Sequence, residues 1–272
     1  MKKYIFIIVN YNGSLITIEC IESILNIKSD RIEKIIVVDN NSTIGDVNIL
    51  LEYEKQYSQT VILDYIFEDT NLGYFGALNK GLKTIQCKKD YFIIVGNNDL
   101  LFCDDFCNSF ELLNLKSTDY VISPDIINLN NVHQNPTALK CLSPFRKFIY
   151  KVSYINYFIF FILISIARIF GKSKELKNRE GWDKEQHVYL GFGACYILTP
   201  SFFAKNNELL NLVFLNGEEA ILAYQVRSSG GKILYSPKVV VKHKDHVTFK
   251  KNSQKKNFLI TKKSYRIYKK YI

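Results

Sequence analysis

Proline and glycine are scarce in this chain of 272 residues, at 5 and 13, and there is one tryptophan and one methionine. A collagen-like or linker-dominated chain is thereby excluded. Low complexity is absent and 47% of residues are hydrophobic, which excludes disorder over most of the length. No G-x-G-x-x-G follows the first apolar run, and no G-x-x-x-x-G-K-[ST] occurs anywhere. The usual dinucleotide and P-loop phosphate cradles are therefore missing. The cysteines (Cys20, Cys87, Cys103, Cys107, Cys141, Cys195) are scattered, and only Cys103 and Cys107 lie close. No second pair completes a zinc set, so reduced cytosolic thiols are expected. A leader peptide is not expected either. Met1-Lys2-Lys3 is basic, but the apolar run Tyr4–Val9 is short and meets Asn10-Tyr11-Asn12-Gly13 without a small-residue cleavage site.

What is present is one large domain, or one domain with an appendage. Its net charge of +10 is unevenly spread. Residues 1–139 carry −7 and 180–241 carry −1, whereas 140–179 carry +8 and 242–272 carry +10. A nucleic-acid enzyme spreads basic residues around its working cleft. Two discrete basic segments on an acidic-to-neutral body point instead to an anionic lipid surface, with no nucleic acid as partner.

The first hundred residues alternate strand and helix patterns. Apolar runs at Tyr4–Val9, Lys34–Val38, Val61–Phe67 and Tyr91–Val95 read as strands. Helical spacing occupies Ser14–Ile27, Ile49–Tyr57 and Ala77–Ile85. This alternation predicts an α/β fold with a mostly parallel sheet flanked by helices. Ligands then sit beyond the carboxyl ends of the strands. Polar clusters follow each strand: Asn10/Asn12, Asp39/Asn41, Asn71 and Asn97/Asp99. Each alone is an ordinary turn; four on one sheet edge make a site. Asp39 could accept hydrogen bonds from a nucleobase or ribose. Asp99 could hold Mg²⁺ or Mn²⁺ beside a diphosphate, or simply cap a following helix.

Downstream, Gly191-Phe192-Gly193-Ala194-Cys195 precedes an apolar run, and Glu218-Glu219 opens a helix. One of these carboxylates could be a general base, or both could serve the helix dipole. Lys232–Tyr235 and Val239–Val241 read as apolar runs, the second leading to His243, a metal or diphosphate ligand or a surface histidine.

Taken in order, these residues resemble family 2 glycosyltransferases. The matches are Ile8-Val9-Asn10-Tyr11-Asn12-Gly13, Val37-Val38-Asp39-Asn40-Asn41-Ser42, Asn71-Leu72-Gly73 through Asn79-Lys80-Gly81, Asn97-Asn98-Asp99, Gly193-Ala194, Gly217-Glu218-Glu219, Gly230 with Pro237, and His243. The likeness is to the rhamnosyltransferase-like bacterial branch that builds capsule, O-antigen or cell-wall polysaccharide.

The resemblance implies a GT-A fold and an inverting, metal-dependent transfer from a nucleoside-diphosphate sugar, dTDP- or UDP-linked. It puts Asn10, Asn12, Asp39, Asn41, Asn71, Gly73, Asn79, Asn97 and Asn98 at the donor. Asp99 and His243 take a divalent cation (Mg²⁺ or Mn²⁺), and Glu219 is the base with Glu218 as alternate. The D-x-D metal motif is reduced here to Asn97-Asn98-Asp99. Phe192, Gly193 and the 133–144 region set the sugar and linkage.

The expected division is a single catalytic domain at 1–245 and a basic amphipathic tail at 246–272. Within the domain, 1–100 bind the donor, and 101–245 bind the acceptor and carry a membrane-associating insertion at about 145–172. The uncharged stretch between Lys151 and Arg168 would span roughly 24 Å as one helix, short of a ~30 Å bilayer core, so an interfacial helix fits. A helix buried in the core or in a protein interface, including a homodimer, is the other reading. Both basic segments suit a lipid-linked saccharide acceptor and peripheral attachment to the inner face of the plasma membrane. Rival readings are a nucleotidyltransferase, and a catalytically dead transferase fold that binds lipid or polyanions.

Overall fold

The computed structural model describes residues 2–57, 62–170, 178–245 and 254–272. Its first third is a run of β-α units: β1 (Tyr4–Asn10), α1 (Ser14–Leu25), β2 (Ile32–Asp39), α2 (Ile44–Gln56), β3 (Ile62–Phe67), α3 (Tyr74–Lys83) and β4 (Phe92–Asn97). Then come β5 (Leu100–Phe102), α4 (Phe106–Glu111), β6 (Asp119–Asn128), α5 (Pro144–Ser153) and α6 (Tyr157–Phe170). The remainder is β7 (Gln186–Val188), β8 (Cys195–Leu198), α7 (Pro200–Phe203), α8 (Glu218–Ser228), β9 (Lys232–His243) and α9 (Gln254–Tyr268).

The strands form one sheet in the order β3-β2-β1-β4-β8-β6-β9-β5, with β7 also on β9. β1, β2, β3 and β4 pair in parallel, and β6 pairs in parallel with β9. β8 is antiparallel to both β4 and β6, and β5 and β7 are antiparallel to β9. Both faces are covered, so β1 is apolar at nearly every position. Ile5 and Ile7 face one core layer with Leu78 and Leu82 of α3, while Tyr4, Phe6 and Ile8 face another with Ile21 and Ile24 of α1. The two apolar runs before His243 are a single strand. Pro237 sits at an irregularity where Pro124 and Asp125 of β6 oppose Ser236 and Val240, which spares the ladder a missing N–H.

The uncharged stretch after Lys151 is not one helix. Asn156 caps α6, its Oδ1 accepting from the Ile159 N–H at 2.9 Å, and Tyr154 and Ile155 make the corner after α5. A competing cap thus outweighs apolar continuity. α9 then packs across this corner. Tyr154 stacks on Tyr265 at 4.6 Å between centroids, and Phe160 meets Phe258 at 5.0 Å. Ser264 Oγ donates to the Leu215 carbonyl (2.6 Å), and Asn216 Nδ2 to Thr261 Oγ1 (3.0 Å). Residues 254–272 are therefore fastened to the body beside α8. Lys172, Lys174 and Lys177 of the first basic segment, and Phe249 of the tail, lie outside the described residues.

Candidate active site

Parallel register brings the carboxyl ends of the first strands together. Asn10 pairs with Asp39, and Val9 with Asn97. Asn10 is fully buried at this edge. Its Nδ2 donates to Asp39 Oδ2 (2.7 Å) and Asp46 Oδ2 (2.9 Å). Its Oδ1 accepts from Thr17 Oγ1 (2.8 Å) and Asn98 Nδ2 (3.2 Å). An amide with two donor hydrogens and two lone pairs can meet these four partners at once. Burial alone would raise the Asp46 carboxyl. Hydrogen bonds from Ser14, Asn10 and Ser42 outweigh that and hold it below the usual carboxylate range. Asp46 in the first turn of α2 and Ser14 at the start of α1 escaped the sequence reading, because both resemble routine helix-start residues.

Asp39 is 1% exposed, and its second oxygen accepts from the Ser42 N–H (2.9 Å). Asn12 accepts from the Thr43 N–H (2.9 Å) and lines the cavity described below. Asn12 and Asn41 both adopt positive φ, which asparagine tolerates, and Asn41 is exposed. Asn71 Oδ1 accepts from the Gly73 N–H (3.0 Å) and from Asn40 Nδ2 (3.1 Å), while Asn40 Oδ1 accepts from the Leu72 N–H (2.8 Å). Asn40, which the candidate set omitted, is thus the buried amide joining the loops after β2 and β3. Asn79 is not at this edge. It sits buried in α3, where it accepts from the Leu209 N–H (2.8 Å) and donates to the Leu209 carbonyl (2.7 Å). Matching a motif by order alone cannot separate such a strut from a ligand.

Asp99 caps no helix, since β5 follows it directly. It is nearly buried, and Oδ1 lies 3.2 Å from Nε2 of His243, itself 5% exposed. β5 and β9 pair Leu100 with His243, which sets this contact. Nδ1 of His243 meets Gln134 Oε1 at 2.9 Å. That oxygen only accepts, so Nδ1 carries the proton. Nε2 then turns its other valence to the Asp99 carboxylate. An imidazole nitrogen and a carboxylate oxygen converging this way fit two positions of a divalent cation. Among the described residues no group of three or more His, Cys, Asp or Glu side chains could hold a metal.

Across the cavity, the α8 helix starts after Gly217, whose φ of +99° is left-handed. The ring of Tyr268 from α9 lies where a Cβ on Gly217 would be, so position 217 requires glycine twice over. Glu218 and Glu219 follow in the first turn. Burial, and next the charge of Glu219, push Glu218 up to about 8. Burial raises Glu219 also, and hydrogen bonds from its own N–H and those of Gly193 and Gly217 offset only part of that rise. A Cβ at Gly193 would meet Glu219 Oε1 at 2.7 Å, so the carboxylate lies on the bare backbone there. Glu218 is therefore protonated at neutral pH, and Glu219 is the member of the pair that rests on the Gly193 backbone.

One cavity of about 1140 Å³ joins the two sides. Asn12, Asn71, Gly73, Asn97, Asn98 and His243 line one part, and Phe192, Gly193, Glu218 and Glu219 another. Asn10, Asp39, Asn41, Asn79 and Asp99 are not in its lining. Arg146 and Tyr150 of α5, Tyr154 of the corner after it and Tyr268 of α9 also reach it. Their place at the site was not legible in advance, because chain segments far apart in sequence supply them.

No curated protein matches the sequence. Solved structures similar in fold include GalNAc-T7 with UDP, GalNAc and Mn²⁺ (14% identity, TM-score 0.62, 91% of this chain and 45% of that one). Another is residues 1–349 of TarS from S. aureus (13%, 0.56, 89% and 60%). A third is the mannosyltransferase PcManGT from Pyrobaculum calidifontis with GDP-Man and Mn²⁺ (14%, 0.57, 97% and 70%). The chain thus spans less than two thirds of the first two. Their shared architecture with this curled sheet is the GT-A fold. The family described as "Glycosyl transferase family 2" matches residues 5–154, which hold β1 to β6 and the whole asparagine-rich edge. The chain belongs to glycosyl transferase family 2.

Proposed function

We propose that the protein is an inverting glycosyltransferase moving a sugar from a nucleoside-diphosphate donor to a saccharide acceptor. The observation that carries this reading is the cavity with an amide-rich strand edge on one side and, on the other, the Glu219 carboxyl held against the Gly193 backbone. Residues 1–100 form the donor half and 101–245 the acceptor half of one catalytic domain, with 246–272 as its tail. Asn12, Asn71, Asn97 and Asn98 take the nucleotide and sugar, while Asn10, Asp39 and Asn40 hold those loops in place.

Glu219 removes the proton from the acceptor hydroxyl as that oxygen attacks the anomeric carbon. The bond from the anomeric carbon to the diphosphate oxygen breaks on the opposite side, and the nucleoside diphosphate leaves with the electron pair. Glu218 stays protonated, so no second negative charge faces the departing diphosphate. Asp99 and His243 would hold a divalent cation, which when bound neutralises charge on the leaving group. Mn²⁺ in the GalNAc-T7 and PcManGT structures supports this.

The donor is dTDP- or UDP-linked, and Thr137, Ala138 and Leu142 in the cavity wall select the sugar. The acceptor is a lipid-linked saccharide of bacterial capsule, O-antigen or cell-wall synthesis, in the rhamnosyltransferase-like branch. A nucleotide-sugar panel screened by thermal shift with Mn²⁺ tests the reading, because a ligand bound only to the folded state raises its stability. A subset of donors should raise Tm, and the same donors should support transfer. Absence of any shift across dTDP-, UDP- and GDP-sugars would overturn it.

A further inference from the structure

Half of the large hydrophobic side chains most exposed among the described residues lie on α5, α6, the corner between them and α9. On α6 they form a stripe. Phe158 is 71% exposed, and Phe161, Ile162 and Ile166 follow it at helical spacing. The opposite side of α6 is occupied, since Tyr157 and Phe160 pack on Phe258 of α9. α5 adds Phe145 and Phe148, and the corner adds Ile155, all more than half exposed. Scattered apolar residues on a surface need no explanation, but a clustered set does.

The charge around this face has one sign. Across α5, α6 and α9 the sequence has nine Lys and Arg residues and no Asp or Glu. A second copy of the chain would bring the same positive face against this one, an unfavourable isologous contact. A bare aromatic stripe set among basic residues fits an anionic bilayer surface, which accepts apolar side chains between headgroups and attracts cations. No helix among the described residues is long and apolar enough to cross a membrane, so the contact is in-plane.

We infer that α5 and α6 form a membrane-docking surface for an anionic lipid leaflet, and that α9 braces this surface from behind. Of the two basic segments expected at a membrane, the inference gives docking to the α5–α6 pair and not to the tail. α9 presents Phe258 and Tyr265 inward and is tied to Leu215 and Asn216, so it contributes charge at the rim more than apolar insertion. The surface is continuous with the active site: α5 turns Arg146 and Tyr150 to the cavity while Phe145 and Phe148 stay outside. Docking by this face therefore places the cavity mouth beside the leaflet.

The test is co-sedimentation of the full chain with vesicles of phosphatidylcholine alone, or mixed with phosphatidylglycerol, without any donor. Its outcome is thus independent of the proposed transfer reaction. Wild type should bind the anionic vesicles, bind neutral ones at least about tenfold more weakly, and lose binding with added salt. Phe148→Ser/Phe158→Ser should bind anionic vesicles at least about tenfold more weakly with an unchanged melting temperature, because both side chains are already in solvent. Wild type remaining in solution with anionic vesicles would overturn the inference. So would equal binding by the double variant, or a wild-type dimer in solution that the double substitution dissociates.

Discussion

Glu218 gives the sharpest handle on the active site. Its carboxyl is pushed from an ordinary 4.5 up to about 8, first by burial and then by Glu219. Between those two values the folded protein holds a proton that the unfolded chain releases. Stability from this group is therefore fully present below about pH 4.5 and is lost as pH rises toward about 8. At ~1.36 kcal/mol per pH step, the loss is under about 1 kcal/mol near pH 5 and about 4 kcal/mol near pH 7.5. Glu218→Gln keeps the shape and removes the ionisation. Relative to wild type it should gain about 3 kcal/mol between those two conditions. With an unfolding entropy of ~2.1 cal/mol/K per residue, that corresponds to a rise of roughly 5 °C in the difference between their melting temperatures. The amide has its own fit in the pocket, where Glu218 Oε1 finds no hydrogen-bond partner. That contribution is the same at both pH values and cancels. The assay is thermal unfolding of both proteins near pH 5 and near pH 7.5. A Tm difference that does not change between the two would refute the assignment of the proton to Glu218.

Other substitutions separate base, cation site and scaffold. Glu219→Gln should lower kcat by roughly 10²–10⁴ with donor affinity retained, since it removes the proton acceptor and little volume; parallel kinetics and donor titration check this. Gly193→Ala should cost at least about tenfold in kcat, because its Cβ would displace the Glu219 carboxylate it meets at 2.7 Å; loss confined to KM would contradict the close approach. Asp99→Asn should raise the Mn²⁺ concentration needed for half-maximal activity at least about tenfold, measured by metal titration of transfer. Asn79→Ala should lower stability by about 2–3 kcal/mol through the two orphaned Leu209 groups, with donor affinity unchanged in the same thermal-shift screen.

The first hundred residues were legible because their period changes cleanly from strand to helix. The run Tyr4–Val9 and the spacing of Ile18, Ile21 and Ile24 each admit one arrangement, and the loop asparagines follow from the parallel topology. Beyond β4 the sheet turns mixed, and short strands such as Leu100–Phe102 and Gln186–Val188 carry too few residues to show a period. The 152–167 stretch misled for another reason: composition alone gave no weight to Asn156 as a cap. At the site, residue types were readable but their duties were not. Asp39 and Asn10 look like ligands in a motif, yet their polar atoms are spent on one another and on Ser42, Asp46 and Asn98. Only packing reveals which member of such a cluster is left facing the cavity.

The Asn10 amide also bears on how this site can diversify. It simultaneously satisfies Asp39 and Asp46 on one side and Thr17 and Asn98 on the other. Replacing any one strands a buried partner, so effects at these positions cannot add independently. Related sequences that change one of them should change a second, and an engineer altering donor choice would have to transplant the five as a block. The freer route to new specificity runs through the walls furnished by Thr137, Ala138, Leu142 and Tyr150, which the block does not bind.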